Sequence, residues 1–245
     1  MAAFGNVLPL LRKQIDTDLR LKKMTKRKCL ALVIRLMEET HIRVGNEYYA
    51  NKNKTYGLST MRTKHVDVLK DDIKFEFVGK KGKKHAITLE DNKLSKLVLQ
   101  CEEIPGWELF QYYDENGKHH NIDSGMVNDY IHEISGDLFS AKDFRTWAAS
   151  KIFFETLYDL GIAETKKETD KNILKAYDAA AEGLGNTRTV CKQYYVHPIL
   201  VEGYENGSIQ KYFEDLDDHK IENKELSDSE EVLLKILKSY SIDLN

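Results

Sequence analysis

Four residue types in this sequence of 245 residues suit one reaction. Arg43 stands in HIRVGNEYY, Lys80 in the turn GKKGKK, Arg145 in KDFRTW, and Tyr194 and Tyr195 side by side in LGNTRTVCKQYYVHP. Arginine presents a planar fork of donors that matches the non-bridging oxygens of a phosphate, and it stays charged at any working pH. A tyrosine hydroxyl, with an ordinary pKa of about 10, attacks only where its surroundings supply positive potential or a base. The alkoxide that leaves a phosphodiester needs a proton, which a lysine on a turn can deliver. Two arginines, a lysine and a tyrosine therefore suit attack of a phenolate on a phosphodiester without a metal. Each residue alone has an ordinary explanation, as a surface charge, a solvated turn or aromatic packing. Only the set points to chemistry, and residue type alone leaves open which tyrosine reacts.

Other chemistries find little support. His119 and His120, in DENGKHHNID, read as an exposed polar turn without a partner pair at metal-ligand spacing. GKKGKKH lacks the G-x-x-x-x-G-K-[ST] pattern of a phosphate loop and lies between strands. No G-x-S-x-G and no Cys/His pairing is present. Cys29, Cys101 and Cys191 are odd in number and not closely spaced, so they read as plain thiols in a reducing, intracellular setting. No apolar run approaches the roughly 18 residues of a membrane span, and MAAFGNVLPLLRK does not have the form of a secretory leader.

The chain is 41% hydrophobic and 31% charged with three prolines, the profile of a helix-rich globular protein. Its net charge of −3 hides an asymmetry. Residues 1–85 hold 20 Lys+Arg against 9 Asp+Glu, and the remainder holds 17 against 31. A basic front and an acidic remainder suit a polyanionic partner at one end.

The elements that must position these residues follow from periodicity. Residues 5–20 and 25–40 read as helices, the second with Leu30, Val33, Ile34 and Met37 at helical spacing. Alternation around His65–Val68, Asp72–Gly79 and Lys84–Glu90 predicts short strands, the last two forming a hairpin around the lysine-rich turn. Helices resume near Asp91. Ser140–Gly161 has a capping serine, Asp143 three residues on and a terminal glycine, which places Arg145 in the first turn, near an anion-favouring N-terminus. Further helices are expected over 168–183, 187–195 and from SDSEE (Ser227–Glu231), with Val232, Leu233, Ile236 and Leu237 on one face. The fold class is α+β, mostly helical with a small antiparallel sheet near the front. The basic helix 26–41 and the segment 121–135 are candidate groove-reading surfaces.

Together these segments resemble the catalytic domain of type IB DNA topoisomerases of the compact poxvirus and bacterial kind, within the DNA-breaking-rejoining fold shared with tyrosine recombinases. The resemblance lies in RVGNEYYANKNKTYGLSTMRTKHV (Arg43–Val66), FVGKKGKKH (Phe77–His85), KDFRTW and LGNTRTVCKQYYVHP, in that order, over most of residues 41–198. It implies that Tyr195 attacks the scissile phosphate to give a 3′-phosphotyrosyl link. It implies also that Arg43 and Arg145 clamp the non-bridging oxygens and that Lys80 protonates the 5′-oxygen. Asn186 falls where poxvirus-type enzymes carry histidine and bacterial-type members resemble this chain. Asparagine donates a neutral hydrogen bond there but brings no charge. The family's nucleophile lies nine residues after that position, which selects Tyr195 over Tyr194. Further DNA contacts are expected at Lys142, Lys64, Lys81, Lys83, Tyr48 and Tyr194.

The same resemblance implies relaxation of supercoiled double-stranded DNA by a monomer, with no ATP, metal or other cofactor and no membrane. It divides the chain into a catalytic core over 1–203 and an acidic extension over 204–245. The family's small N-terminal β domain has no counterpart here, so a fragment of a longer protein is expected. The alternatives are a tyrosine recombinase and a DNA-binding domain with weakened catalysis. A recombinase usually shows His-x-x-Arg where this chain has Lys142-Asp143-Phe144-Arg145, and a Thr-Gly-type turn where it has Arg43-Val44-Gly45. The intact Arg43, Lys80, Arg145 and Tyr195 argue against lost catalysis.

Overall fold

The structure, a computed structural model, describes residues 1–136, 139–218 and 225–240. The chain forms two compact units. One comprises residues 13–141, here the hairpin unit; the other joins residues 1–12 to the chain from Lys142 onward, here the tyrosine unit. The first helix, α1 (Ala2–Leu19), gives its opening turns to the tyrosine unit and its end to the hairpin unit.

The hairpin unit is built around α2 (Lys26–Thr40). Thr25 caps it by accepting the Lys28 N–H, and His41, in the left-handed region at φ 55°, closes it with a bond to the Met37 carbonyl. Leu30, Val33, Ile34 and Met37 are buried as their spacing predicts, but so are Ala31, Leu32 and Leu36 on the other faces. A helix apolar nearly all round belongs inside a core. That confines any groove-reading surface on 26–41 to the narrow solvent-facing edge where Lys26 is exposed. Arg27 pairs with Asp18 at 2.9 Å and Glu133 at 2.5 Å, and Arg35 pairs with Asp16. Lys28 is buried with its Nζ donating to Gln100 Oε1 at 3.3 Å, and burial pushes its pKa down. Lys28, Arg27 and Arg35 are therefore paired within the chain, the Arg27–Glu133 pair at the surface.

Three antiparallel strands follow in the order β1 (Val66–Leu69), β2 (Asp72–Val78) and β3 (Lys84–Glu90). In β2, Ile73, Phe75 and Phe77 are buried while Lys74 and Glu76 face solvent, the period of two that a half-buried sheet requires. The hairpin register pairs Phe77 with His85 and Val78 with Lys84. Between α2 and β1 lies the short α3 (Glu47–Asn53), and after β3 comes α4 (Asn92–Glu102), capped by Asp91. A second small sheet, β4 (Gln111–Tyr113) with β5 (His119–Asn121), precedes α5 (Ser124–Ser135).

This second sheet places the histidines on a strand rather than in the expected turn, with His119 exposed as expected. His119 and His120 sit in β5 opposite Tyr113 and Tyr112, with His120 Nε2 2.8 Å from Asp114 Oδ2. Asp114 Oδ1 also accepts the N–H groups of Asn116 and Lys118, an Asx turn that closes the hairpin. The thiols of Cys29 and Cys101 also meet although they are far apart in sequence. That contact, with burial, raises the Cys29 pKa, and all three cysteines are buried and outside any disulfide.

The tyrosine unit is helical: α6 (Ala141–Leu160), α7 (Lys166–Gly183), α8 (Arg188–Tyr194), α9 (Pro198–Glu205), α10 (Gln210–Asp218) and α11 (Asp228–Ser239). Residues 219–224 and 241–245 of the acidic stretch lie outside the described residues. The core is lined by Phe144, Trp147, Phe153, Phe154 and Leu157 of α6, with Phe4 edge-on to Phe144 at 5.1 Å. Val232, Leu233, Ile236 and Leu237 of α11 are buried in the same unit. At the start of α11, Ser227 and Glu230 form a capping box.

Glu230 does more than cap. Its carboxylate accepts two hydrogen bonds from Arg12, each 2.8 Å, and one from Trp147 Nε1 at 2.9 Å. Burial alone would raise its pKa, but Arg12, the Ser227 N–H and Trp147 outweigh it and hold the group at about 2. Because the folded value lies below the ordinary 4.5, this stability is complete above pH 4.5 and is lost as pH falls towards 2. Glu230→Ala removes the buried carboxylate that the half-buried Arg12 pairs with, and we expect it to destabilise the unit by about 3–5 kcal/mol at neutral pH. Thermal melts followed by far-UV circular dichroism should show the deficit at pH 7 and its narrowing between pH 4.5 and 2. A pH-independent difference would contradict the assignment.

Candidate active site

In the tyrosine unit the segment LGN does specific work. Asn186 N–H bonds to the Ala181 carbonyl at 2.8 Å, and Gly185 N–H bonds to the Glu182 carbonyl at 3.0 Å, with Gly185 at φ +60°. This is a Schellman close to α7, for which glycine is favoured because a side chain strains that backbone. Asn186 is thereby set at a defined place immediately after the helix. Thr187 then opens α8 by accepting the Val190 N–H. Seven residues later the helix ends at the tyrosines.

The end of α8 is tied down from inside. The N–H groups of Tyr195 and Val196 both bond to the carbonyl of the fully buried Cys191, at 3.1 and 3.0 Å. Ser150, fully buried in α6, donates its hydroxyl to the Tyr195 carbonyl at 3.2 Å and accepts the His197 N–H at 3.1 Å. Tyr195 is half-buried whereas Tyr194 is 57% exposed. The adjacent tyrosines therefore occupy different environments.

Arg145 lies within this group. It is 4% exposed, donates Nη2 to the Leu184 carbonyl at 2.9 Å, and has its guanidinium carbon 5.7 Å from the Tyr195 ring centre. One side chain thus links α6 to the connection bearing Asn186 and to the ring of Tyr195. Arg145 is the fifth residue of α6, so it lies past the first turn where the sequence placed it. Its position comes from the carbonyl bond rather than from the helix terminus. Lys142, three residues earlier on a neighbouring part of the same face, is exposed.

Arg43, Lys64, Lys80, Lys81, Lys83 and Tyr48 belong to the hairpin unit. Arg43 lies three residues beyond α2, in extended chain, and its carbonyl accepts the Leu58 N–H at 2.9 Å. Gly57 packs so closely there that a Cβ would lie 2.4 Å from the Arg43 oxygen, so only glycine fits. Lys80, Lys81 and Lys83 are exposed on the β2–β3 turn, with Lys81 at φ 62°. The base of that turn is held to the Arg43 side of the unit through Tyr56, whose N–H bonds to the Val78 carbonyl at 2.8 Å. The Tyr56 ring lies 4.3 Å from the His65 ring, and Arg62 lies over its face at 5.6 Å. Burial first, then the charges of Lys64 and Arg62, push the His65 pKa down. Lys64 is exposed beside it. Tyr48, on α3, is exposed and packs edge-on against Tyr49 at 5.4 Å, with Lys52 Nζ donating to its hydroxyl at 3.0 Å.

Ser150 does not stand out by residue type, because it performs no chemistry of its own. Its signal is a hydroxyl in the largely apolar stretch WAASKIFF, five residues past Arg145 on α6. Among the described residues, no three His, Cys, Asp or Glu side chains come together as a metal cage requires.

Residues 1–223 match the family model described as eukaryotic DNA topoisomerase I, catalytic core. The chain is 32% identical to the DNA topoisomerase 1B of Acanthamoeba polyphaga mimivirus, over 98% of this chain and 71% of that protein. It is 24% identical to the DNA topoisomerase 1B of vaccinia virus (strain Copenhagen) and to the DNA topoisomerase I of monkeypox virus. Each of those alignments covers 80% of this chain and 60% of the relative, so the chain spans three fifths of the poxvirus proteins' length.

Proposed function

This chain belongs to the type IB DNA topoisomerase family, and we propose that it relaxes supercoiled double-stranded DNA through a transient 3′-phosphotyrosyl link at Tyr195. The Tyr195 oxygen attacks the scissile phosphorus, forming a P–O bond as the bond to the 5′-oxygen breaks. The phenolic proton leaves to solvent, and the Lys80 ammonium supplies a proton to the departing 5′-oxygen. Arg43 and Arg145 stabilise the charge that gathers on the non-bridging oxygens, with Asn186 adding a neutral donor. Lys64, Lys81, Lys83, Lys142, Tyr48 and Tyr194 contact the surrounding duplex.

One phosphodiester is exchanged for another, so the reaction needs no ATP. The 5′-hydroxyl strand turns to release torsion and then attacks the phosphotyrosine in the reverse step. The observation that carries this proposal is the buried Arg145 guanidinium over the Tyr195 ring, anchored at the connection bearing Asn186. It supports a tyrosine held in positive potential, which an unactivated phenol needs.

Supercoiled plasmid incubated with the protein, a chelator and no ATP should give a ladder of relaxed topoisomers. Duplex binding without relaxation would favour a DNA-binding domain. Strand exchange between two sites would favour a recombinase.

A further inference from the structure

We infer that Trp107 is a duplex-contacting residue, its indole held on a pinned turn beside Arg62 and Lys64 to pack against the sugar–phosphate wall of the DNA. The inference rests on the proposal that this chain binds double-stranded DNA. Trp107 is 75% exposed, and among the described residues no large hydrophobic side chain is more exposed. A single exposed apolar residue is ordinary. The construction of its turn is not.

Pro105, Gly106, Trp107 and Glu108 lie between α4 and β4. Gln111, 1% exposed, donates its Nε2 to the Glu108 carbonyl at 2.9 Å and to the Pro105 carbonyl at 3.3 Å, so one amide closes both ends of the turn. Its Oε1 lies 2.9 Å from His119 Nδ1, which orients the amide. From the other side, Thr63 N–H bonds to the Trp107 carbonyl at 3.2 Å and Leu109 N–H bonds to the Met61 carbonyl at 2.8 Å. Arg62 and Glu108 pair between them as an antiparallel bridge. The backbone of Trp107 is thus held from two directions while its ring stands in water. An aromatic group fixed in advance loses little conformational freedom when a partner covers it.

The neighbours indicate which partner. The segment paired with the turn is Arg62-Thr63-Lys64, so a cation lies on each side of the residue that bonds Trp107. Arg62 lies over Tyr56, and Tyr56 is bonded to Val78 at the base of the turn bearing Lys80, Lys81 and Lys83. A continuous set of contacts within one unit therefore connects Trp107 to the lysine-rich hairpin. Cations on the segment paired with an exposed aromatic residue complement a nucleic acid: the cations neutralise phosphates and the ring packs on sugar or base faces. The indole N–H can donate to a phosphate oxygen as well.

The sequence contains two tryptophans, and the other, Trp147, is 3% exposed and bonded to Glu230 in the tyrosine unit. A change in tryptophan emission when a partner binds at the surface therefore reports chiefly on Trp107. The full chain is titrated with a fluorescein-labelled blunt duplex, read by anisotropy, and in parallel with unlabelled duplex, read by tryptophan emission. Emission should be quenched with the same midpoint as the anisotropy rise, and Trp107→Phe should remove the quench. Trp107→Ala should weaken binding about tenfold with the log–log salt slope unchanged, whereas Lys64→Ala should reduce the slope by about one. Saturable anisotropy with unaltered tryptophan emission and unaltered affinity of Trp107→Ala would overturn the inference and leave the turn to a protein partner. No anisotropy change in the wild-type chain would overturn the proposed function itself, and this inference with it.

Discussion

Tyr195→Phe should bind duplex DNA normally yet form no covalent adduct and relax no plasmid, while Tyr194→Phe keeps adduct formation. Removing one oxygen deletes the nucleophile and leaves the ring over which Arg145 lies. Packing is therefore conserved, and the loss reads as chemistry rather than unfolding. The neighbouring ring is 57% exposed and has no such place over a buried guanidinium. Denaturing gels of protein incubated with a nicked or suicide duplex separate the two outcomes directly. An adduct from Tyr195→Phe and none from Tyr194→Phe would reverse the assignment.

Lys80→Ala should slow cleavage by about 10²–10⁴-fold, the range general acid catalysis contributes. Lys80 is exposed on a tight turn whose backbone is closed by Gly79 N–H to the Lys83 carbonyl at 2.7 Å. Truncating its side chain should therefore leave the hairpin folded. A substrate whose scissile 5′-oxygen is replaced by sulfur leaves without a proton, because a thiolate is a far better leaving group than an alkoxide. Lys80→Ala should regain most of its rate on that substrate. A defect equal on both substrates would make Lys80 a phosphate contact rather than the acid.

The parts of the fold legible in the sequence are those where periodicity and burial coincide. Ile73, Phe75 and Phe77 alternate strictly and form a strand buried on one face. Ser227 with Glu230 marks a helix start that the structure retains. Helix α2 was legible as a helix but not as a core helix. Its lysines and arginines suggest an exposed face, and only the structure reveals Asp16, Asp18 and Glu133 meeting Arg35 and Arg27. Strands β4 and β5 are three residues each and polar, too short for alternation to register, and they are closed by the side chain of Asp114.

The candidate site divides in the same way. Arg145 stood out by type, while Asn186 and the choice of Tyr195 came only through the family resemblance; the structure supplies the bonds that hold the backbones of Asn186 and Tyr195 and the side chain of Arg145. The Schellman close at Gly185 was half visible in LGN, since glycine after a helix is its usual mark. Ser150 and Gln111 were not visible. Each acts through carbonyls that come close only once the chain is folded. Long-range polar contacts of that kind leave no local pattern in sequence.

The central claim is that Tyr195 carries the DNA between cleavage and religation. A suicide duplex that loses its 5′-hydroxyl strand traps the covalent species, and protease and nuclease digestion reduces it to a peptide bearing a short nucleotide. Fragmentation of the peptide containing KQYYVHP should place the nucleotide phosphate on Tyr195, with Tyr194 unmodified. A phosphate on Tyr194 or on any other residue would contradict the account.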